Sequence, residues 1–499
     1  MNSLLIMSGA LALLLVLFGA GVPVFLAFLA INTAGVAVFL GPQAFGLVAN
    51  SLFATATTPS LTAIALFVLM GEILFRSGTS EVLFEAVDRF VGRLAGRQFV
   101  LAGVLATIFG ALSGSNMAVS AMMAKSVFPG MEKRGYDRRL SIGMILGGAS
   151  LAPVIPPSVL AIIIATLAQV SVAGLLIAGV LPGLLLALMF IGYALLRVKL
   201  NPSLAPATVD GPQTAPVRSM GREILRCLPF TLVIVSVMGV ILAGVATPSE
   251  SAATGVIGAM VTAAIFGKLR LKMLAESLRS SVLVTAMILV IMASSTLFSQ
   301  LLALSGASSQ ITDWVAQLGW HPVWMLLVMM GLVFVFCMFI DQVALMLVII
   351  PIYMPLIAVL GFDPLWFWLL MLLNVTVGGI TPPFGYAMFA FKGARQDVPM
   401  TDLFAAAWPF VGLFLLGMLI VGLVPGLATW LPGYPATKLT LRCNPDQPHP
   451  ARRTGGDGMS ACSGGGYEYF MTRRVSIQLI SREENSLQWP KLELAYICV

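Results

Sequence analysis

The hydrophobic positions of this chain are gathered into runs that are mostly long enough to cross a membrane. A helix needs roughly 20 apolar residues to span about 30 Å of hydrocarbon. Residues 4–40 have room either for two passes or for one helix bent near residues 21–23. The runs predict helical segments at residues 4–40, 61–75, 99–128, 140–165, 172–196, 227–246, 251–267, 281–304, 323–355, 366–391 and 404–431. This pattern predicts an all-α polytopic membrane protein.

Polar residues, glycines and prolines interrupt these runs in a pattern that returns 226 positions later. Each interruption is a place where a helix is expected to stop, bend or expose polar groups. Ser115-Asn116, Pro129, Gly135-Tyr136-Asp137 and Pro156-Pro157 return as Asp341-Gln342, Pro355, Gly361-Phe362-Asp363 and Pro382-Pro383. The register predicts two related membrane repeats, residues 1–200 and 226–432. A polar, proline-rich linker at residues 201–225 would join them.

The basic residues indicate that the two repeats are inserted in opposite orientations. Basic loops of membrane proteins stay on the cytoplasmic side. The positions 226 residues away from each basic group contain no Lys or Arg, so equivalent loops face opposite sides. The groups are Arg76, Arg89, Arg93 and Arg97; Lys133, Arg134, Arg138 and Arg139; Lys268, Arg270, Lys272 and Arg279; and Lys392 and Arg395. We therefore expect an inverted repeat, which places paired half-sites near the bilayer midplane, and a cytoplasmic linker.

Composition supports a membrane protein and argues against several other classes. The chain is 59% hydrophobic and 10% charged, whereas charged residues make up about a quarter of soluble domains. The net charge of +7 follows the loop pattern, so we expect no nucleic-acid partner. The sequence has no His-Glu-x-x-His, Gly-x-Ser-x-Gly or P-loop motif. We therefore expect neither an enzyme nor direct coupling to ATP.

Two segments contain polar residues in the middle of an otherwise apolar stretch. Ser113, Gly114, Ser115 and Asn116 lie near the centre of residues 99–128, which predicts a re-entrant hairpin, and residues 323–355 are its counterpart. Irregular backbone at membrane depth is tolerated only where protein or an aqueous cavity covers it. The carbonyls and hydroxyls of such a tip suit a small cation, and the half-helix N-termini suit an anion.

Two further segments are predicted to be broken helices. Residues 140–165 contain three prolines within five positions, and residues 366–391 contain Pro382-Pro383 together with the hydroxyls of Thr376 and Thr381. Proline removes an amide donor and clashes with the preceding turn, so carbonyls are left for a ligand, a water or a neighbour. The alternative interpretation is a pair of structural kinks.

Asp341 lies among apolar residues within residues 323–355. An ionisable residue inside the membrane is a functional candidate by default. Two interpretations are open. The carboxylate either contacts an ion or the substrate directly, or it orients the hairpin tip through hydrogen bonds to the backbone.

Six motifs carry a resemblance to a known family. In this order they resemble the large membrane subunit of tripartite ATP-independent periplasmic (TRAP) transporters, the DctM-like permeases, over residues 5–432. The motifs are Leu112-Ser-Gly-Ser-Asn-Met-Ala118, Gly135-Tyr-Asp137, Pro153-Val-Ile-Pro-Pro-Ser158, Gly244-Val-Ala-Thr-Pro-Ser-Glu-Ser-Ala-Ala253, Phe339-Ile-Asp341 and Gly379-Ile-Thr-Pro-Pro-Phe-Gly385.

The resemblance implies an elevator-type secondary transporter in the bacterial inner membrane, with sodium as coupling ion and no covalent cofactor. It implies import of an organic acid, a C4-dicarboxylate or related carboxylate. Two partners are implied, a periplasmic substrate-binding protein and a small four-helix membrane subunit. The alternative is an ion-coupled organic-anion carrier of the same architecture that needs no binding protein.

The resemblance also implies site residues. Asn116-Met117 stands where many relatives of that family carry smaller residues. The first sodium site would use Ser113, Ser115, Asn116, Gly148, Pro153 and Pro156. The second would use Asp341, Gln342, Thr376, Gly379, Thr381 and Pro382. Substrate would contact Ser115, Asn116, Ser158, Thr381 and Gly385.

Residues 433–499 are unlike the rest of the chain. They are rich in charge and glycine and contain no apolar run long enough to span a membrane. Cys443, His449 and Cys462 have a spacing that fits no standard metal site. We expect a disordered C-terminal extension here.

Overall fold

The computed structural model describes residues 9–78 apart from a few single positions (11, 15, 19, 40, 42, 43 and 45), residues 96–206 and residues 220–440. The described chain is nearly all helical. The helices are α1 Val24–Phe39, α2 Gly46–Ala56, α3 Pro59–Arg76, α4 Arg97–Ser113, α5 Asn116–Ser126, α6 Phe128–Lys133, α7 Arg138–Ser150, α8 Val159–Leu167, α9 Val172–Ala178, α10 Val180–Leu200, α11 Met220–Leu242, α12 Pro248–Ile265, α13 Leu271–Leu304, α14 Ala307–Leu318, α15 Pro322–Cys337, α16 Gln342–Leu360, α17 Pro364–Gly378, α18 Tyr386–Ala394, α19 Met400–Leu423 and α20 Gly426–Thr440.

Several of these helices are suited to a membrane. Within the described residues, five helical segments are long and apolar enough to cross one. They are Pro59–Arg76, Val172–Leu200, Leu271–Leu304, Gln342–Leu360 and Met400–Leu423. Large apolar side chains such as Leu188 and Leu283 are exposed on helix surfaces. In a membrane protein such side chains face lipid, so their exposure carries no penalty.

All four predicted interruptions separate helices in the structure. The first tip (residues 114–115) lies between α4 and α5, and the second tip (residues 338–341) between α15 and α16. The first break (residues 151–158) separates α7 from α8, and the second break (residues 379–385) separates α17 from α18. Helices α5 and α16 begin 226 residues apart, as do α7 and α17.

The first tip shows why the chain turns at these points. Gly114 ends α4 in the left-handed region, with φ of +62°, and its amide bonds to the carbonyl oxygen of Gly110 at 2.8 Å. A glycine adopts that conformation without a Cβ clash. Ser115 then takes an extended conformation and accepts a hydrogen bond from the Ala118 amide, which caps α5. Two adjacent residues thus end one helix and begin the next.

Helices α2 and α14 and the first turns of α13 lie outside the predicted segments. Helix α2 has 11 residues, too few to give a spanning run, and α14 mixes polar and apolar residues. Helix α13 has 34 residues and begins at Leu271 instead of residue 281, because its first turns carry charges that the hydropathy pattern discounts. A hydropathy window detects lipid contact, whereas a helix continues into water wherever its backbone bonds continue.

Two predicted boundaries also differ from the helices. Helix α11 begins at Met220, so it takes the last residues of the predicted linker, whose residues 207–219 lie outside the described ones. Helix α20 continues to Thr440, past the predicted start of the extension at residue 433. Residues 441–499 lie outside the described residues.

Helix α5 of the first half packs along α18 of the second half. The Ser120 hydroxyl donates to the Ala387 carbonyl oxygen at 2.8 Å. Further along, Phe128 and Phe391 meet edge to face, with ring centroids 5.3 Å apart. The Arg395 guanidinium lies 5.1 Å from the Phe128 ring centroid. Helices α5 and α6 of one half and α18 of the other are therefore packed as one unit.

A cluster of charges closes the loop end of this unit. Arg395 lies 2.6 Å from Asp397 and 3.0 Å from Glu132, and Arg138 lies 3.5 Å from Glu132. The hydrogen bond from Arg395 lowers the pKa of Asp397 to about 2. The cluster joins a loop of each half, which holds α5 and α18 in register.

Close approach of α7 and α19 gives a first prediction. A Cβ on Gly143 would lie 2.7 Å from the Ala406 carbonyl oxygen and would also collide with the Phe410 ring. We expect Gly143→Ala to lower stability by about 1–3 kcal/mol, as overpacking usually does. The control is Gly412→Ala in α19, where an added Cβ meets nothing within 4 Å. Thermal unfolding of the purified protein, followed by intrinsic fluorescence, measures both, and equal melting temperatures would contradict the close approach.

The charge cluster gives a second prediction. Arg395→Gln should lower the melting temperature more than Asp397→Asn, because Arg395 also pairs with Glu132 and covers Phe128. A depressed pKa adds stability that is present above the ordinary aspartate pKa and is lost as the pH falls through the folded value. The effect of Asp397→Asn should therefore be equal at pH 7 and pH 5 and shrink below about pH 4. A larger effect at pH 5 than at pH 7 would contradict the pairing.

Candidate functional site

Three helix starts meet through one tyrosine hydroxyl. Asn116 begins α5, Gln342 begins α16 and Tyr386 begins α18. Asn116 Nδ2 donates to Tyr386 Oη at 3.0 Å, and Tyr386 Oη donates to Gln342 Oε1 at 2.5 Å. The structure thus brings together one residue from each predicted sodium site. A helix start carries a partial positive charge, which favours an anion at this point.

The backbone of the second break lies directly against this chain of hydrogen bonds. A Cβ on Gly379 would lie 2.5 Å from Tyr386 Oη and 2.9 Å from Asn116 Nδ2. The Ala387 amide donates to the Gly379 carbonyl oxygen at 3.0 Å. A Cβ on Gly385 would lie 3.0 Å from that same carbonyl oxygen. Two predicted site residues, Gly379 and Gly385, are therefore glycines because the backbone is this crowded.

Asp341 caps α16 at the second tip. Its Oδ1 accepts hydrogen bonds from the amides of Val343 at 2.9 Å and Ala344 at 3.3 Å. This is the interpretation in which the aspartate orients the hairpin tip. A carboxylate has two oxygens and about four lone-pair sites, so capping through Oδ1 leaves room for a second contact. Pro382 of the second break, close to Gly379 in the sequence, is buried.

The predicted threonines are buried, and each bonds to a carbonyl oxygen of α17. Thr376 Oγ1 donates to the Leu372 carbonyl oxygen at 2.6 Å, and Thr381 Oγ1 donates to the Val377 carbonyl oxygen at 2.7 Å. A hydroxyl has one hydrogen and two acceptor lone pairs. Each oxygen has given away its hydrogen and keeps lone pairs, which is the state that a cation ligand requires.

Ser158 is used inside the first break. Its hydroxyl donates to the Pro153 carbonyl oxygen and accepts from the Ala161 amide at 3.1 Å, which caps α8. Its side chain is fully buried. The Pro153 carbonyl, which has no helical amide partner because of the prolines, is therefore bonded to the Ser158 hydroxyl. Ser158, which was predicted to contact substrate, holds the first break together through these two hydrogen bonds.

The first tip lies beside the first break. A Cβ on Gly114 would be 3.6 Å from the Pro157 carbonyl oxygen and 3.9 Å from the Val159 amide nitrogen. Gly148, also predicted for the first site, packs against Ala106 of α4, since a Cβ there would lie 2.5 Å from the Ala106 Cβ. Pro156 is buried and joined to Pro157 by a cis peptide bond.

A cavity of about 290 Å³ opens beside the first tip. Ser113 at the end of α4 and the tip residues Gly114 and Ser115 line one wall. Glu72 and Arg76 of α3 line another. Pockets for small ligands have about this size and a few converging polar groups. The cavity therefore presents hydroxyls and both signs of charge to a ligand at the tip.

Glu72 and Arg76 are held in place by neighbours on α13. Arg76 Nε lies 2.6 Å from Glu72 Oε2, and its Nη1 lies 3.7 Å from Glu276. The Ser280 hydroxyl donates to Glu72 Oε1 at 3.0 Å. The pair of charges is thus held in the cavity wall by contacts with α13, with Arg76 still exposed.

A second cavity of about 260 Å³ lies on the same two helices, α3 and α13. It is lined by uncharged polar residues that include Thr58, Thr166, Ser299 and Gln300. Helix α3 contributes Leu61 to this cavity, and to the first one it contributes Val68, Gly71, Glu72, Phe75 and Arg76. The pair of helices therefore carries polar cavities at two levels along its length.

The sequence motifs did not single out Tyr386, Glu72 or Arg76 as site residues. Tyr386 directly follows the motif that ends in Phe384-Gly385. Its position, a phenol at the start of a helix after a break, was the available signal that it belongs to the site. Its partner Asn116 lies 270 residues away. Only the fold reveals that these two residues meet.

Comparison with known proteins identifies a family for this chain. The family model described as the tripartite ATP-independent periplasmic transporter, DctM component, matches residues 11–427. The C4-dicarboxylate TRAP transporter large permease protein DctM of Pseudomonas aeruginosa is 30% identical over 401 residues, which are 80% of this chain and 92% of that protein. The ectoine TRAP transporter large permease protein TeaC of Halomonas elongata is 30% identical over 389 residues, 77% of this chain and 88% of that protein.

A solved structure shows the same fold. The YdaH transporter of Alcanivorax borkumensis aligns with a TM-score of 0.56 over 79% of this chain and 91% of that chain, at 16% identity. The family match covers all four interruptions and both cavities. The resemblance predicted from the six motifs is therefore confirmed: the chain belongs to the DctM component family of tripartite ATP-independent periplasmic transporters, as a large membrane permease subunit.

Proposed function

We propose that this permease is the large membrane subunit of a sodium-coupled secondary transporter that imports an organic acid, a C4-dicarboxylate or related carboxylate. The observation that carries the proposal is the meeting of three helix starts at Asn116, Gln342 and Tyr386. Broken helices whose N-termini point at one place are a recurrent substrate site in secondary transporters. The relatives named above for C4-dicarboxylate and ectoine transport are consistent with small organic solutes.

Movement of one body against another is the transport step in this proposal. Residues 1–200 and 226–432 are two inverted repeats, supported by the recurrence of helix starts at an offset of 226 residues and by the basic loops. The two re-entrant hairpins and the two broken helices travel together, since α5 and α18 are joined by Ser120 and Ala387. Helices α3 and α13 form the fixed wall, where polar cavities occur at two levels.

Sodium would bind at each tip. Na⁺ is a hard cation that prefers hydroxyl, carbonyl and carboxylate oxygens. The first site would use the hydroxyls of Ser113 and Ser115 and the side-chain oxygen of Asn116 near the first break. The second would use Asp341, Gln342 and the lone pairs of Thr376 and Thr381, which have already donated their hydrogens.

The organic acid would lie between the tips. Its carboxylate would meet the amides at the helix starts of α5 and α18, which carry partial positive charge. The cavity beside the first tip gives it space, and Arg76, which is paired with Glu72, adds guanidinium donors to the wall. Sodium bound at the tips would order these segments and offset the charge of the carboxylate. A ligand shifts the outward and inward states only by its different affinity for each.

The family name implies partners for this subunit. We propose that a periplasmic binding protein delivers the substrate and that a small four-helix membrane subunit completes the complex in a bacterial inner membrane. The competing proposal, a carrier of the same architecture without a binding protein, differs in one measurable way. It transports from free solution without any soluble partner.

Reconstituted uptake tests the coupling. The two membrane subunits are placed in proteoliposomes, the binding protein is added outside, and entry of radiolabelled succinate is measured with an inward sodium or potassium gradient. We expect uptake with sodium only, because the tip oxygens suit the smaller ion. Equal uptake with potassium contradicts sodium coupling, and full uptake without the binding protein supports the carrier instead.

Substitutions at the first tip test the first sodium site. Ser115→Ala and Asn116→Ala should each raise the half-saturating sodium concentration by about tenfold, since a hydrogen-bonding group facing a charge contributes about 1.5–3 kcal/mol. The control is Ser126→Ala on the same helix, whose exposed hydroxyl donates to the Met122 carbonyl oxygen. Wild-type sodium affinity in both tip variants would remove this site from the proposal.

A further inference from the structure

The hydroxyl of Tyr386 stands between the two proposed sodium sites. It accepts from Asn116 of the first site at 3.0 Å and donates to Gln342 of the second at 2.5 Å. Asn116 is 2% exposed and Tyr386 is partly buried. The two sites, formed by residues far apart in sequence, are therefore connected through a single oxygen atom.

Surrounding contacts fix the position of this oxygen. Ala387, the next residue of α18, donates its amide to Gly379 at 3.0 Å and accepts at its carbonyl from Ser120 at 2.8 Å. The Gly379 backbone lies so close that a Cβ would be 2.5 Å from Tyr386 Oη. The phenol of Tyr386 has no free space in the direction of Gly379. A shift of either tip must therefore be transmitted through the Tyr386 side chain.

The direction of the hydrogen bonds decides what each amide can offer to an ion. A tyrosine hydroxyl has one hydrogen, which goes to Gln342 Oε1, and accepts with its lone pairs. Asn116 therefore faces Tyr386 with its NH₂ group and keeps Oδ1 for a cation. A cation on Oδ1 would fix the Asn116 amide, and the two hydrogen bonds through Tyr386 Oη would then fix the Gln342 amide, whose Oε1 keeps a second lone pair for an ion. Ion binding at the first tip thus holds a ligand of the second tip in place.

We propose that Tyr386 is a positioning residue whose hydroxyl couples sodium binding at the first tip to sodium binding at the second. The proposal rests on the proposed function, because it needs both tips to bind the coupling ion. Coupling of this kind is reciprocal, so each ion raises the affinity for the other by the same factor. A Hill coefficient above one for sodium is the expected sign.

Tyr386→Phe removes only the hydroxyl and keeps the ring. The matched control is Tyr353→Phe in α16, whose buried hydroxyl donates to the Met329 carbonyl oxygen at 3.2 Å, away from both tips. Initial uptake rates at saturating substrate are measured against sodium concentration with the complete transporter. We expect Tyr386→Phe to lower the Hill coefficient and to raise the half-saturating sodium concentration about fivefold or more. Tyr353→Phe should change neither value.

The outcomes separate the coupling from the transport proposal. If wild-type uptake does not depend on sodium, the proposed function fails and the coupling with it. If wild-type uptake is sodium-dependent but Tyr386→Phe keeps the wild-type Hill coefficient and half-saturation, only the coupling is overturned. A fall in melting temperature alone, equal to that of Tyr353→Phe, likewise shows a packing role and overturns it.

A second measurement covers the case in which Tyr386→Phe does not fold. Asn116→Ala, Gln342→Ala and the double variant form a double-mutant cycle, which measures the coupling between the two residues that bond to Tyr386 Oη. We expect the two losses of sodium affinity to be non-additive by about fivefold or more, since residues in one hydrogen-bond network couple. Additive losses would overturn the proposal.

Discussion

Hydrocarbon offers no hydrogen-bond partner to a backbone amide or carbonyl, and the whole structure is arranged around that constraint. Four times the chain interrupts a helix inside an apolar stretch, and the freed groups are then bonded from within. Ser115 and Asp341 cap the helices that start at the tips. Ser158 satisfies a carbonyl of the first break and caps α8. The breaks are stable because side chains of the break itself replace the missing helical bonds.

That same constraint explains which parts of the fold were predictable. Prolines, glycines and small polar residues in an apolar run have few explanations, so the positions of the tips and breaks followed from the sequence. Helix α14 and the first turns of α13 were missed because polar residues there hide a helix that leaves the hydrocarbon. A break is indicated by particular residue types at one place in the sequence. A helix that lies in water lacks the long apolar run by which the other helices were predicted.

The site was only partly predictable for a different reason. Local sequence indicated that Asn116 and Gln342 belonged to tips, but not that a phenol would join them. The bond between Asn116 and Tyr386 spans 270 residues, and nothing in either local sequence specifies it. The crowding at Gly379 likewise depends on a side chain of another helix. Residue types predicted the chemistry of the site, and packing decided which residues meet.

The packing of α5 along α18 has a consequence for how such a protein arose. Helices α5 and α6 belong to the first half, yet they cover the broken helix of the second, α5 through Ser120 and Ala387 and α6 through Glu132 and Arg395. A single half standing alone would leave its broken helix without this cover. If the two halves descend from one shorter chain, that ancestor had to work as a pair of copies, each completing the other before a single gene held both.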